Sequence, residues 1–140
     1  MSYSNILDIT SMQRALKSLE SAMRVFHALK DIGQDEKSVI RAGVIQNFEF
    51  TYELSWKYMK RWIEMNVDPI AVDGVTRREL FRQAAENMLI TDVEKWMEIH
   101  QSRNRTSHIY DENVADEVLE ATFAALPYFK CFVKSLEARL

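Results

Sequence analysis

The run Phe48-Glu49-Phe50-Thr51-Tyr52-Glu53-Leu54-Ser55-Trp56-Lys57 spaces its large side chains with the period of a helix rather than a strand. Phe48, Tyr52 and Ser55 share one face, which continues backwards through Val44 and forwards through Met59 and Ile63. Ile45, Trp56 and Trp62 widen the stripe. A helix from Asp35 or Ser38 to Asn66 is expected, the longest in the chain and the spine of its core. On it Glu53 and Lys57 stand one turn apart in the favourable order, whereas Glu49 and Glu53 stand one turn apart with like charge. Two carboxylates beside large aromatics need a cation between them or open solvent around them. Arg103 or Arg105 is the candidate cation, and a solvated acidic face is the other reading.

Ahead of this helix, Leu16, Leu19, Met23, Phe26 and Leu29 draw one apolar stripe between Ser11 and Lys30, and Gly33 supplies a stop. His27, beside the stripe, reads as a partly buried structural histidine. Between Val67 and Val75, Pro69 and Asp73-Gly74 break any helical pattern. Thr76-Arg77-Arg78-Glu79 then reads as a capping box, in which a hydroxyl and a carboxylate satisfy free backbone donors at a helix start. A short helix to about Met88 follows. Thr91-Asp92-Val93-Glu94 repeats the box and opens a helix through Trp96 and Ile99 that delivers Arg103 at its C-terminal end. Asp111 or its neighbour caps a long last helix with Val114, Val118, Leu119, Thr122, Phe123 and Leu126 inside. Pro127 is expected to kink or interrupt it, and Tyr128, Phe129, Phe132, Val133 and Leu136 carry the stripe onward. No β alternation, internal repeat, low-complexity segment or glycine-rich phosphate loop appears. The fold class is all-α: an antiparallel up-and-down bundle of four to five helices, one domain over residues 1–140.

Bulk composition agrees. With 140 residues the chain can bury about two thirds of its unfolded surface. Hydrophobic residues are 47% and charged residues 28%, with three glycines and two prolines, which disfavours disorder and a turn-rich fold alike. A net charge of -3 gives no global field for nucleic acid, so any RNA contact must rest on a local basic patch. Cys131 is alone and reads as a buried free thiol in a reducing compartment. His27, His100, His108 and that one cysteine give no ligand pair at zinc spacing, so no metal or cofactor is expected. Met1 to Asp8 lacks a basic start followed by an apolar run, and no segment reaches the roughly 20 apolar residues of a membrane span. A cytoplasmic protein without a membrane segment is the expectation.

The densest chemistry lies in Arg103-Asn104-Arg105-Thr106-Ser107-His108-Ile109-Tyr110-Asp111-Glu112. Arginine is a permanent phosphate clamp, and histidine exchanges a proton near neutral pH. A metal-free ribonuclease needs a base for the 2'-hydroxyl proton and a fixed cation for the charge developing on the phosphate; His108 and Arg103 supply that minimum. Asp111 and Glu112 would repel a polyanion and are more simply helix-cap residues. Each functional reading has a plain one beside it. Arg103 and Arg105 suit the negative end of a helix dipole, Tyr110 suits a core edge with its hydroxyl in water, and His108 suits a cap on the following helix. Asn104 and Arg105 read as supporting residues, and His100 as a surface residue.

The order of Arg103, His108 and Tyr110 resembles the R-x4-H-x-Y motif of the HEPN superfamily, in particular its HepT-like branch. The run Phe48 to Lys57, Arg82-Gln83-Ala84-Ala85, Leu89-Ile90-Thr91-Asp92 and Trp96-Met97 look like the nucleotidyltransferase substrate-binding proteins. The resemblance extends from about Leu16 to Leu136. It implies a helical domain similar to the C-terminal half of larger nucleotidyltransferases, working beside a separate minimal nucleotidyltransferase subunit that carries the catalytic aspartates. This sequence has no such aspartates in a Gly-Ser-anchored arrangement. In the toxin-antitoxin form of such a pair, Tyr110 would be the acceptor of AMP, silencing a nuclease. The resemblance also implies a homodimer bringing two motifs to one cleft, with nucleotide or RNA as ligand. A ribonuclease using Arg103 and His108 is the alternative, and a non-catalytic adaptor is the third reading. Ile109 departs from the threonine expected between the histidine and the tyrosine, which touches only the spacer.

Overall fold

A computed structural model describes residues 6–140. The expectation that the first residues carry no leader falls largely on residues 1–5, outside the described ones. Among the described residues five α-helices follow one another: α1 Thr10–His27, α2 Gln34–Asn66, α3 Arg77–Glu86, α4 Val93–Arg105 and α5 Glu112–Glu137. Among the described residues there is no strand. The fold is the expected all-α bundle.

α2 is the spine: α1, α3, α4 and α5 all pack on it, and α4 also packs on α5 and α3. Val44, Phe48, Tyr52, Ser55, Met59 and Ile63, the stripe expected on one face, are all buried. They meet Met12, Leu16, Leu19 and Met23 of α1, Leu80, Phe81 and Ala84 of α3, Trp96 and Ile99 of α4, and Phe129, Phe132 and Leu136 of α5 in one cluster. At its centre Phe129 lies 6.1 Å from Phe48 and 5.6 Å from Trp96, centroid to centroid, with Phe81 at 5.7 Å from Trp96. A smaller cluster of Ile45, Ala115 and Val118 lies nearer the α4–α5 connection and takes in Ile109.

Several helix ends differ from expectation. α1 stops at His27 rather than near Lys30, and Asp31, not Gly33, takes the left-handed conformation (φ 53°) that its short polar side chain tolerates. Gly33 is the residue just before α2. α3 ends at Glu86 in a Schellman motif: Leu89 N–H donates to Ala84 C=O at 2.9 Å and Met88 N–H to Ala85 C=O at 3.0 Å. Met88 itself takes the left-handed position (φ 61°) that glycine usually fills. Thr76 caps α3 by accepting from Glu79 N–H, the expected hydroxyl half of the box, while the Glu79 carboxylate pairs with Arg82 instead of reaching back. The second expected capping box does not form; a single N-cap takes its place, in which Asp92, not Thr91, accepts from Lys95 N–H at 3.1 Å, because the carboxylate sits at the position from which the third backbone N–H is in reach. Asp111 caps α5, accepting from Asn113 N–H and Val114 N–H. α5 runs through Pro127 without interruption, as Ala125, Phe129, Phe132 and Leu136 are buried on either side of it. Cys131, read from the sequence as buried, is exposed, since α5 turns that position away from the core.

No described helix is long and apolar enough to cross a membrane.

Candidate functional site

The site forms where the C-terminal turn of α4, the connection to α5 and the middle of α2 meet. α4 brings Arg103 against the acidic face of α2. Its Nη2 lies 3.9 Å from Glu49 and its Nε 3.2 Å from Glu53, so the like-charged carboxylates do have a cation between them. The third contact is local: Nη1 donates to Thr106 Oγ1 at 3.1 Å, and that hydroxyl donates to Arg103 C=O at 2.8 Å. Thr106 is buried and pins the guanidinium against α2. Arg105, the other candidate, points to α5 and pairs with Glu117.

Beyond Arg105 a short 3-10 turn, Thr106–His108, leads into α5. Ile109 packs on the smaller apolar cluster, so the chain is anchored there while its neighbours face out. Tyr110 is 83% exposed and His108 is exposed. The phenol oxygen lies 3.3 Å from His108 Nδ1 and the rings meet edge to face at 5.9 Å. With the imidazole proton on Nε2, the phenol O–H donates to Nδ1. Asn104 is exposed too. Arg103 and Tyr110 thus lie at one end of the bundle in different settings: the guanidinium is half-buried among carboxylates, and the His108–Tyr110 pair stands in solvent. No hydrogen bond joins Arg103 to His108 among the described residues.

The sequence reading missed a second layer beneath the motif. His100, expected at the surface, is half-buried on α4; its Nδ1 lies 2.6 Å from the Tyr52 hydroxyl and its Nε2 3.5 Å from Asn104 Nδ2. Burial lowers the His100 pKa below its ordinary value, and the nearby Arg77 cation pushes the same way against Glu53. The neutral imidazole is favoured. Burial likewise raises the Tyr52 phenol, so it stays protonated as a donor. Arg77, the first residue of α3, stacks 3.6 Å over the Trp56 ring, whose indole N–H donates to Glu53 at 3.0 Å. The spacing gave one signal for His100: it precedes Arg103 and Asn104 by three and four residues, which places all three on one helical face.

Arg41, also unremarked in the sequence, is buried on α2 and reaches Glu112 at 3.3 Å and Asp116 at 2.8 Å. It ties α2 to the first turn of α5, immediately after Tyr110. Glu112 therefore serves this ion pair, and Asp111 serves the cap. Among the described residues no three His, Cys, Asp or Glu side chains gather as metal ligands do.

Comparison with known proteins gives three findings. A Haemophilus influenzae protein called "Probable ribonuclease HepT" is 44% identical over 77 residues, 53% of this chain and 51% of that protein. The chain thus spans about half the length of the curated relative it matches. A solved structure from Haemophilus influenzae, described as revealing the fold of a substrate binding domain of a nucleotidyltransferase, superposes with a TM-score of 0.84 at 28% identity. That match covers 93% of this chain and 99% of the other. A Thermus thermophilus structure matches with a TM-score of 0.70 at 22% identity, over 89% of this chain and 98% of its own, and shares the fold. Residues 7–138 match the family described as "Nucleotidyltransferase substrate binding protein like", and the chain belongs to that family.

Proposed function

We propose that this chain is the substrate-binding or acceptor subunit of a two-component system whose other member is a minimal nucleotidyltransferase, and that Tyr110 accepts AMP. The observation that carries the reading is the His108–Tyr110 pair: an 83% exposed phenol within 3.3 Å of an exposed imidazole, set on a connection whose neighbours are pinned. A phenol buried in its own bundle could not enter another protein's active site, whereas this one projects from it. In the step, the Tyr110 oxygen attacks the α-phosphorus of ATP held by the partner. The new O–P bond forms as the bond to the bridging oxygen breaks, pyrophosphate leaves, and the phenol proton passes to His108. Family membership supports a nucleotidyltransferase partner. The exposed, unpaired Cys131 suits a reducing cytoplasm.

A ribonuclease is the second reading, favoured by the relative's printed name. In it His108 takes the 2'-hydroxyl proton and Arg103 faces the phosphate, with Asn104 and Arg105 beside them. One chain presents a single such pair, and the reading calls for a homodimer that joins two. The two readings separate in one set of incubations. With the partner enzyme and ATP labelled at the α-phosphate, wild type takes up label and Tyr110→Phe takes up none if Tyr110 is the acceptor; equal labelling of the two removes it from that role. With RNA in EDTA and no partner, cleavage that disappears in His108→Ala establishes the nuclease.

A further inference from the structure

Arg103 is neutralised but poorly hydrogen-bonded. Of the five N–H donors of a guanidinium, only one, on Nη1, has an aligned acceptor among the described residues, the Thr106 hydroxyl. Nε is sealed from solvent and makes no hydrogen bond, although Glu53 lies 3.2 Å away, and Glu49 at 3.9 Å is beyond hydrogen-bond reach of Nη2. The carboxylates supply charge without filling the planar fork. The contacts are also partly open to solvent, which screens them: the Arg103 and Glu49 side chains are each 29% exposed and Glu53 is 37% exposed. A phosphoryl group presents two oxygens at the spacing this fork fits, and binds arginine better than a misaligned carboxylate does.

We infer that Glu49 and Glu53 form an internal gate on Arg103, occupying it electrostatically in the resting chain so that a phosphoryl oxyanion must displace them to use the guanidinium. The inference rests on reading Arg103 as the phosphate-facing group of the site, and it names what regulates that group. Two carboxylates offset Arg103 and the neighbouring Arg77, leaving no net positive charge at the place a phosphate must reach, which opposes weak or non-specific anions. A ligand that engages the fork bidentately overcomes it. Glu53 is held by the Trp56 indole N–H, which fixes its carboxylate and makes it the firmer half of the gate. Glu49 is the looser half.

The test measures anion affinity on the full chain, with inorganic pyrophosphate as the probe and ATP and a short single-stranded RNA as further arms. Glu53→Gln keeps an acceptor for Trp56 while removing the charge, and Glu49→Gln removes charge at the looser contact. Each is expected to tighten pyrophosphate binding, the double variant by about tenfold, since removing like charge at this distance is worth that order at a protein surface. Adding Arg103→Met is expected to abolish the gain. A gain seen with ATP but not RNA assigns the gate to nucleotide; the reverse assigns it to RNA. Unchanged or weaker binding in both single variants, with melting curves showing them folded, overturns the gate and leaves the carboxylates as orienting groups. If Glu53→Gln fails to fold, Glu49→Gln alone decides. The measurement uses neither the partner nor Tyr110, so it can fail while labelling of Tyr110 succeeds, and the reverse.

Discussion

His100 makes the stability of the bundle depend on pH. Its folded-state pKa lies below the ordinary 6.5 because burial beside Tyr52 and the Arg77 cation disfavours the imidazolium. The unfolded chain therefore binds this proton more readily than the folded one, so the contribution to stability is present above 6.5 and is lost as pH falls through the folded pKa. Thermal melts from about pH 7.5 down to about pH 5 should show a falling midpoint. His100→Gln should flatten that fall, and an unchanged slope in the variant would show that other groups cause it. Glu53 offers a second check. Glu53→Ala is expected to lower the melting midpoint more than Glu64→Ala, because Glu53 holds both Arg103 and the Trp56 indole. Equal, negligible effects on melting would remove that pairing from any structural role. The Glu49–Glu53–Arg103 contact was one of the readings open beforehand, because a like-charged turn beside aromatics calls for a cation or for open solvent, and Arg103 and Arg105 were the candidate cations. The Tyr52–His100 bond was not, since its partners are 48 residues apart and nothing in either segment announces the other.

The helix ends hold what the periodic pattern left open. Apolar spacing located α1, α2 and α5 and capping signals located α3 and α4, whereas the exact termini depend on single residues in unusual conformations, which periodicity does not report. Met88 is the clearest case: it takes the left-handed position of the Schellman motif while its side chain is largely exposed. Met88→Gly should stabilise the protein by about 0.5–1 kcal/mol in urea unfolding, because glycine adopts that conformation without a Cβ clash and little packing is lost. A loss of stability would mean that the methionine packs in a way its exposure does not suggest. Arg41 is the corresponding tie between elements. Arg41→Met, which keeps the aliphatic stem, should cost about 1 kcal/mol by the same assay, since Glu112 and Asp116 are left in solvent rather than buried unpaired. A cost of several kcal/mol would mark the pair as a buried charge network instead.

Across the whole molecule, α2 buries one long face under four other helices, and that arrangement determines where the chemistry can stand. The core is apolar and aromatic around Phe48, Trp96 and Phe129; Phe129→Ala should remove about 3–5 kcal/mol, measured as a lower urea midpoint at similar slope. With the interior thus filled, polar groups collect at the end where α4 turns into α5, in two layers. The inner one, Tyr52, His100, Arg77 and the Glu49–Glu53–Arg103 contact, is assembled by the bundle from distant segments. The outer one, His108 and Tyr110, was readable as a motif because its members are neighbours in sequence, and the fold leaves it in solvent. The proposed acceptor role depends on that exposure. Its most direct test is peptide mass mapping of the wild-type chain after incubation with ATP and the partner nucleotidyltransferase. The account predicts the mass of adenylate on the fragment containing Tyr110 and on no other tyrosine-containing fragment. Adenylate on a different fragment, or none on any while the partner is active, would contradict it.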